Sequence, residues 1–263
     1  MSDMKESYHI NGELASISYY NSKGKLHREG DLPAELLFYK NGLLKSEKYM
    51  LNGKKNRNQA KPAFIKYNKD GQVIYLGYFV NDKFHKINEP ALIKYHDNGQ
   101  IEELKYYING IYKRDDHTLP CHIVYFNSGK LKTEEFFYNG KLHRSKDLPA
   151  FISYYEDGTI CSETYAINGI IARITPDMPS SIAYEKGQVI YKKFCNEYGD
   201  LFVTDNYRQP VIYCRNPKET KYKFGKRTMN SIQYKDFLKI NMFTPEPNEL
   251  KDEEIEMLKV IFY

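Results

Sequence analysis

Histidines and basic residues recur at one loop position of this sequence, where they could serve as general bases or as anion ligands. Three pairs share the position: His27-Arg28, His85-Lys86 and His143-Arg144. Arg57, Arg114 and Arg173 fill the equivalent place elsewhere. A catalytic group occurs once, whereas these residues repeat, so we expect them to hydrogen-bond loop carbonyls or carboxylates of the next repeat. Asp31 and Asp147 are the nearby carboxylates, and a periodic anion-binding surface is the alternative.

Carboxylates recur as well, and paired carboxylates could hydrolyse a glycoside. Glu47, Glu134 and Glu163 each lie five residues after a glycine. Because they hold the same place in different repeats, rather than opposite sides of one substrate, we expect an exposed cross-strand charge ladder instead. The sequence has no Gly-rich phosphate loop, HExxH motif or serine nucleophile elbow, and its four cysteines lack metal-ligand spacing. We therefore expect no enzyme, no cofactor and no metal site.

The elements that position these residues follow a fixed period. Six prolines lie 28 to 30 residues apart: Pro33, Pro62, Pro90, Pro120, Pro149 and Pro179. A small residue follows each proline, an aliphatic residue stands three positions after it and an aromatic residue five, as in Ala63, Ile65 and Tyr67. Offsets of one, three and five share a face only in a β-strand, so each proline begins a strand whose apolar face we expect to pack inward.

A glycine nine residues after each of the first five prolines, such as Gly42, marks the end of this strand. An aliphatic and an aromatic residue follow the glycine by two and seven positions. They predict a second strand, and their different parity predicts a bulge or burial on both faces. Turns such as Asn52-Gly53 then close the unit. The sequence predicts a mainly β fold, an elongated antiparallel meander of about six β-hairpin repeats.

The full pattern resembles a known repeat family. The segment Asn139 to Arg144, NGKLHR, followed by Leu148-Pro149-Ala150, is similar to MORN-type repeats in a variant form found in large DNA viruses of amoebae. The similarity covers about residues 8 to 195. It implies a scaffold or partner-binding protein, encoded by a virus and acting in the host cytoplasm or packed in the particle. Some family members associate with membranes, but the longer period and the added His-Arg and Leu-Pro-Ala elements distinguish this chain from the standard lipid-binding unit.

The repeat pattern fades toward the C-terminus, which divides the sequence into two predicted regions. Residues 1–198 form the repeat domain, and residues 199–263 form an α/β cap over the open end of the sheet. A charged, amphipathic stretch predicts a short helix near 247–261. No apolar stretch approaches the ~18 residues of a transmembrane helix, so we expect an intracellular protein.

The second face of each proline strand is the first candidate binding surface. Its residues, two and four positions after the proline, mix apolar, polar and charged side chains. The candidate contacts are Phe64, Leu92, His122 and Phe151. A partly apolar strip along a sheet favours an extended protein partner. The alternative is that the sheet curls and covers this face itself.

The basic segment from Arg208 to Lys239 is the second candidate binding surface. It has nine Lys or Arg residues against two acidic ones, with tyrosine and phenylalanine interspersed. The candidate contacts are Arg215, Lys221, Lys223, Lys226 and Arg227. A net charge of only +5 for the whole chain does not by itself indicate nucleic acid. The leading hypothesis is a non-catalytic scaffold that binds protein; the alternative is a nucleic-acid or anionic-surface binder that uses segment 208–239.

Overall fold

A computed structural model describes residues 3–58, 60–173, 178–193, 195, 221–224 and 227–230. The regular structure of these residues is entirely β, without a helix. In each of the two units described below, the main strands form an antiparallel meander, which confirms the predicted fold class. The predicted cap helix near 247–261 lies outside the described residues.

The chain divides into two compact units, and the first comprises Met1–Arg144 and Ala150–Thr159. Its strands are β1 Asp3–Tyr8, β2 Leu14–Tyr20, β3 Glu35–Phe38, β4 Leu44–Lys48, β5 Met50–Leu51, β6 Lys54–Lys55, β7 Phe64–Tyr67, β8 Val73–Gly77, β9 Phe79–Val80, β10 Lys83–Phe84, β11 Leu92–Tyr95, β12 Ile101–Lys105, β13 Tyr107–Ile108, β14 Ile111–Tyr112, β15 His122–Tyr125, β16 Leu131–Glu135, β17 Phe137–Tyr138, β18 Lys141–Leu142 and β19 Phe151–Tyr154. Eleven of them are main strands, hydrogen-bonded in the order β1-β2-β3-β4-β7-β8-β11-β12-β15-β16-β19. The others pair as four minor hairpins, β5-β6, β9-β10, β13-β14 and β17-β18.

The second unit comprises Ser145–Pro149 and Ile160–Tyr263. Its strands are β20 Ile160–Thr164, β21 Ala166–Ile167, β22 Ile170–Ile171, β23 Ser181–Glu185, β24 Gln188–Lys193, β25 Lys221–Phe224 and β26 Arg227–Asn230. Strand β23 lies between β20 and β24, whereas β21-β22 and β25-β26 are separate two-stranded hairpins.

The turns and the bulge have the predicted places. Asn52 and Gly53 have φ angles of 52° and 83°, the left-handed values that a tight turn of the Asn-Gly type requires. Leu37 and Phe38 are adjacent in β3 but pair with Ser46 and Leu44, so one residue of β4 is extra. The same register shift recurs in the next three main hairpins. The bulge predicted from the parity of the pattern is thus confirmed.

Successive hairpins meet most closely at the small residue after each proline. These residues have relative exposures of 0 or 1%: Ala34, Ala63, Ala91, Cys121, Ala150 and Ser180. The carbonyl of Ala63 accepts the N–H of Tyr49 at 2.8 Å, and equivalent bonds join the other units. We call this position the small-residue slot; it sets how tightly one hairpin packs on the next.

Candidate binding surface

The recurrent histidines hold neighbouring hairpins together. His27 Nδ1 accepts the backbone N–H of Asn52 at 3.0 Å, and His85 Nδ1 accepts that of Asn109 at 3.1 Å. The partner is the next hairpin, as predicted, but the expected bond to a carbonyl or carboxylate is wrong for these nitrogens. An Nδ1 that accepts an amide proton has no proton of its own, so it is not available as the donor that such a bond needs.

The basic residues of this loop position stack on an aromatic ring near or directly after the end of the preceding main strand. The cation lies 3.4 to 3.9 Å from the ring centroid in six pairs: Arg28/Tyr19, Arg57/Tyr49, Lys86/Tyr78, Arg114/Tyr106, Arg144/Phe136 and Arg173/Tyr165. A desolvated cation over an aromatic face contributes up to about 2 kcal/mol. These residues therefore have a structural role in each repeat.

Two of the guanidinium groups also bind the loop of the preceding repeat. Arg57 donates to both carboxylate oxygens of Asp31, and Arg173 donates to both oxygens of Asp147. Hydrogen bonds from Arg57 and then Lys61 lower the pKa of Asp31 to about 2. The predicted loop carboxylates are thus the partners of two of the repeated bases, although they lie in the preceding repeat and not in the next one. These two arginines are occupied by the protein itself, which disfavours an anion-binding role for them.

The recurrent glutamates do not form the predicted exposed charge ladder. Glu47 is half-buried and accepts the hydroxyls of Tyr49 at 2.7 Å and Tyr67 at 2.5 Å. Glu134 accepts the hydroxyl of Tyr154 at 2.8 Å, and an equivalent bond occurs at Glu163. Burial, and then the bond to Glu47, raises the pKa of Tyr49 to about 12. The prediction was wrong because the tyrosine five residues after the next proline lies on the same face as the glutamate.

On one face of the main sheet in the first unit, a row of side chains runs across successive strands. Eight of its members are aliphatic and two are glutamates. Across successive strands the row runs Ile17, Leu36, Glu47, Ile65, Leu76, Ile93, Leu104, Ile123, Glu134 and Ile152. We call this side the isoleucine face. Only Ile123 and Ile152 are buried, with exposures of 9% and 8%, and the others are half-buried. A complete second layer would bury them all, so within the described residues this face, which we expected to pack inward, is only partly covered.

The four side chains predicted to bind a partner lie together on the opposite, mixed face. Phe64, Leu92, His122 and Phe151 lie in one row of that face, on alternate main strands. Leu92 is only 7% exposed, and the other three are half-buried. The structure therefore brings the predicted residues together but covers part of the row with the chain itself.

The cover is a row of aromatic rings from the minor hairpins, which sequence reasoning missed. Neighbouring ring centroids are 4.1 to 5.2 Å apart along Phe79, Phe84, Tyr107, Tyr112 and Phe137. Tyr112 lies 6.3 Å from the His122 ring, and Phe79 packs against Gly77, the register neighbour of Phe64 and Leu92. The sequence pattern that indicates these rings is an aromatic residue eight positions after Gly71, Gly99 and Gly129.

His122 lies at the centre of a charged cluster on the mixed face. Its Nε2 is 2.9 Å from Glu103, its Nδ1 is 3.1 Å from Glu135, and Lys94 and Lys105 also contact Glu103, at 2.6 and 2.8 Å. Burial disfavours the charged imidazole, but the bonds to Glu103 and Glu135 outweigh it and raise the pKa of His122. The bond from His122 is the main cause that lowers the pKa of Glu103. An imidazolium that bridges two carboxylates is satisfied at both nitrogens, so the cluster stabilises the sheet.

This cluster predicts a pH dependence of stability. Because the pKa of His122 is raised, its stabilising contribution is complete below about pH 6.5, the unfolded value, and is lost as the pH rises through the folded pKa. We expect a lower urea midpoint at pH 9 than at pH 6, and a smaller difference for His122→Gln. An equal pH difference in both proteins would show that His122 does not cause it.

The second predicted surface is only partly described. Lys221 and Lys223 lie in β25 and Arg227 begins β26, where the register pairs Lys221 with Asn230 and Lys223 with Thr228. Arg215 and Lys226 lie outside the described residues.

In the described part of the chain, no cluster of three or more His, Cys, Asp or Glu side chains has an arrangement that could hold a metal ion. None of the described residues belongs to a helix long and apolar enough to cross a membrane. No protein-family model matches the chain, and no curated protein matches it.

Proposed function

We propose that this chain is a non-catalytic, MORN-like repeat protein that binds another protein through the isoleucine face of its sheet. The observation that carries the proposal is the row of aliphatic side chains across successive main strands, most of which are only partly buried. A contiguous apolar surface of this kind is typical of a protein-binding site. The row crosses ten main strands, and nine spacings of ~4.8 Å give it a length of roughly 43 Å, which suits an extended partner.

The chemistry of the row defines the partner further. Its longest aliphatic run, from Ile65 to Ile123, is bounded by Glu47 and Glu134. Six strand spacings of ~4.8 Å place these carboxylates roughly 29 Å apart. A complementary partner has an apolar centre with a hydrogen-bond donor or a cation toward each end. Because tyrosine hydroxyls already donate to both glutamates, a neutral hydrogen-bond donor of the partner complements them better than a cation does.

Glutamate at Leu76 and Leu104 tests the proposal, because glutamate occupies the same row position at Glu47 and Glu134. Tyr95 lies on the strand next to Leu76, as Tyr67 lies on the strand next to Glu47, so its hydroxyl can donate to a glutamate at position 76. We therefore expect the Leu76→Glu/Leu104→Glu protein to fold. Binding of the protein recovered by cross-linking to the unaltered chain should fall at least tenfold.

The matched control is Lys66→Glu on the mixed face. It changes the charge by the same two units, and Lys66 is exposed. We expect it to retain binding. Loss of binding by Lys66→Glu, with retention by the double variant, would assign the contact to the mixed face and contradict the proposal.

The basic segment is the basis of the alternative function, since Lys221 and Lys223 lie two residues apart in β25. That function predicts retention on heparin that falls steeply with salt and is lost on charge reversal of Lys221, Lys223, Lys226 and Arg227. We expect weak retention that these substitutions change little. Tight, salt-sensitive retention would favour a nucleic-acid or anionic-surface binder.

A further inference from the structure

Strand β1 is an edge of the main sheet. It pairs with β2, and among the described strands none lies on its other side. All six of its residues, from Asp3 to Tyr8, are exposed, whereas β2, β3 and β4, which follow it, have neighbours on both sides. An unpaired edge presents backbone N–H and C=O groups that another strand can bind.

This edge is longer than the repeat requires. Strands β1 and β2 have six and seven residues, whereas the hairpins that follow are built from strands of four and five. Six residues give roughly 20 Å of open backbone. The first hairpin thus offers more edge to a partner strand than any internal hairpin of the first unit would.

The side chains of β1 on the isoleucine face combine apolar groups with one carboxylate. Met4 is 50% exposed and Tyr8 60%, and Glu6 lies between them opposite Ile17. In the first strand of each later main hairpin, an aliphatic residue takes the place of Glu6. These residues are Leu36, Ile65, Ile93, Ile123, Ile152 and Ile182. A charge replaces the repeat's aliphatic residue where the edge is open.

The charges of β1 disfavour pairing with its own copy. A two-fold axis between two antiparallel strands places one residue opposite itself. In the two central registers that residue is Lys5 or Glu6, so like charges would meet directly across the new pair. A strand of a different protein has no such conflict.

We propose that β1 accepts an extended strand of another protein, with Lys or Arg opposite Glu6 and apolar residues opposite Met4 and Tyr8. Backbone hydrogen bonds supply the affinity in this mode of recognition, and the alternate side chains supply the selectivity. This site is separate from the aliphatic row around Leu76 and Leu104, so the two can be tested independently.

A charge swap tests this site with two synthetic peptides, Thr-Ile-Thr-Lys-Thr-Val-Thr and the same peptide with Glu in place of Lys, both blocked at their termini. We expect the lysine peptide to bind the unaltered protein at least tenfold more tightly than the glutamate peptide, and to shift the amide resonances of β1. For Glu6→Lys, the preference should reverse. Because Glu6 is exposed, we expect an unchanged urea midpoint for this variant.

Three results would overturn the inference. These are binding of neither peptide, the same peptide preference in both proteins, and resonance shifts that fall away from β1. A concentration-dependent dimer of the unaltered chain that is lost in Glu6→Lys would assign the edge to a second copy instead.

Discussion

Replacing Phe136 with alanine is expected to lower the free energy of unfolding by about 3 to 5 kcal/mol. Phe136 is 2% exposed and is the largest fully buried side chain among the described residues. Its backbone N–H donates to the Ala150 carbonyl at 2.8 Å, and the Arg144 guanidinium lies 3.6 Å from the centre of its ring. Truncation leaves a cavity between two hairpins and removes the surface on which Arg144 stacks. Urea unfolding followed by circular dichroism measures the change.

Tyr138 provides the matched control, because it is an aromatic residue two positions away with 44% exposure. Its ring centroid lies 5.3 Å from that of His117 and 5.8 Å from that of His143. We expect Tyr138→Ala to cost less than about 1 kcal/mol, as is usual for surface positions. Equal losses for the two variants would show that Phe136 is not the anchor of its hairpin.

Enlarging the small-residue slot is the second large perturbation. Ala63 is 0% exposed and packs between Tyr49 and Phe79, so the side chain of Ala63→Leu has no free volume to enter. Overpacking of a tight core costs about 1 to 3 kcal/mol. We expect a loss at the upper end, because the added atoms would separate two hairpins joined by the Tyr49–Ala63 hydrogen bond. The urea midpoint should fall without a change in the fold.

Other repeats supply the control for this variant. Cysteine and serine occupy the same slot at Cys121 and Ser180, with exposures of 1% and 0%. Ala63→Cys and Ala63→Ser should therefore change the stability much less than Ala63→Leu. A ranking that ignored side-chain volume would contradict the role of the slot as the point of closest packing.

The fold could be predicted from the sequence because its information is periodic. The interval between prolines such as Pro33 and Pro62 indicated the repeat, and the alternation in Ala63, Ile65 and Tyr67 indicated a strand. The change of parity after Gly42 indicated the bulge, which the register confirms. Each of these features is local, so that one strand and one turn contain it.

The faces of the sheet could not be predicted in the same way, because they depend on what covers them. Ile65 and Phe64 are adjacent and both apolar, and only the minor hairpins decide which is covered. Phe79 packs against Gly77, the register neighbour of Phe64, and so covers the side of Phe64. The partner of Glu47 depended likewise on Tyr67, twenty residues away and one strand across.

Removal of one whole repeat tests most directly whether equivalent positions of different repeats are interchangeable. Deletion of residues 63–90 joins Pro62 to Ala91, so Ala91, Ile93 and Tyr95 would take the places of Ala63, Ile65 and Tyr67 beside Glu47. The expected result is a β-sheet protein that unfolds in a single urea transition, with a slope reduced by about a tenth. An unfolded or aggregated deletion protein, when the full chain is soluble under the same conditions, would contradict a sheet built from interchangeable hairpins.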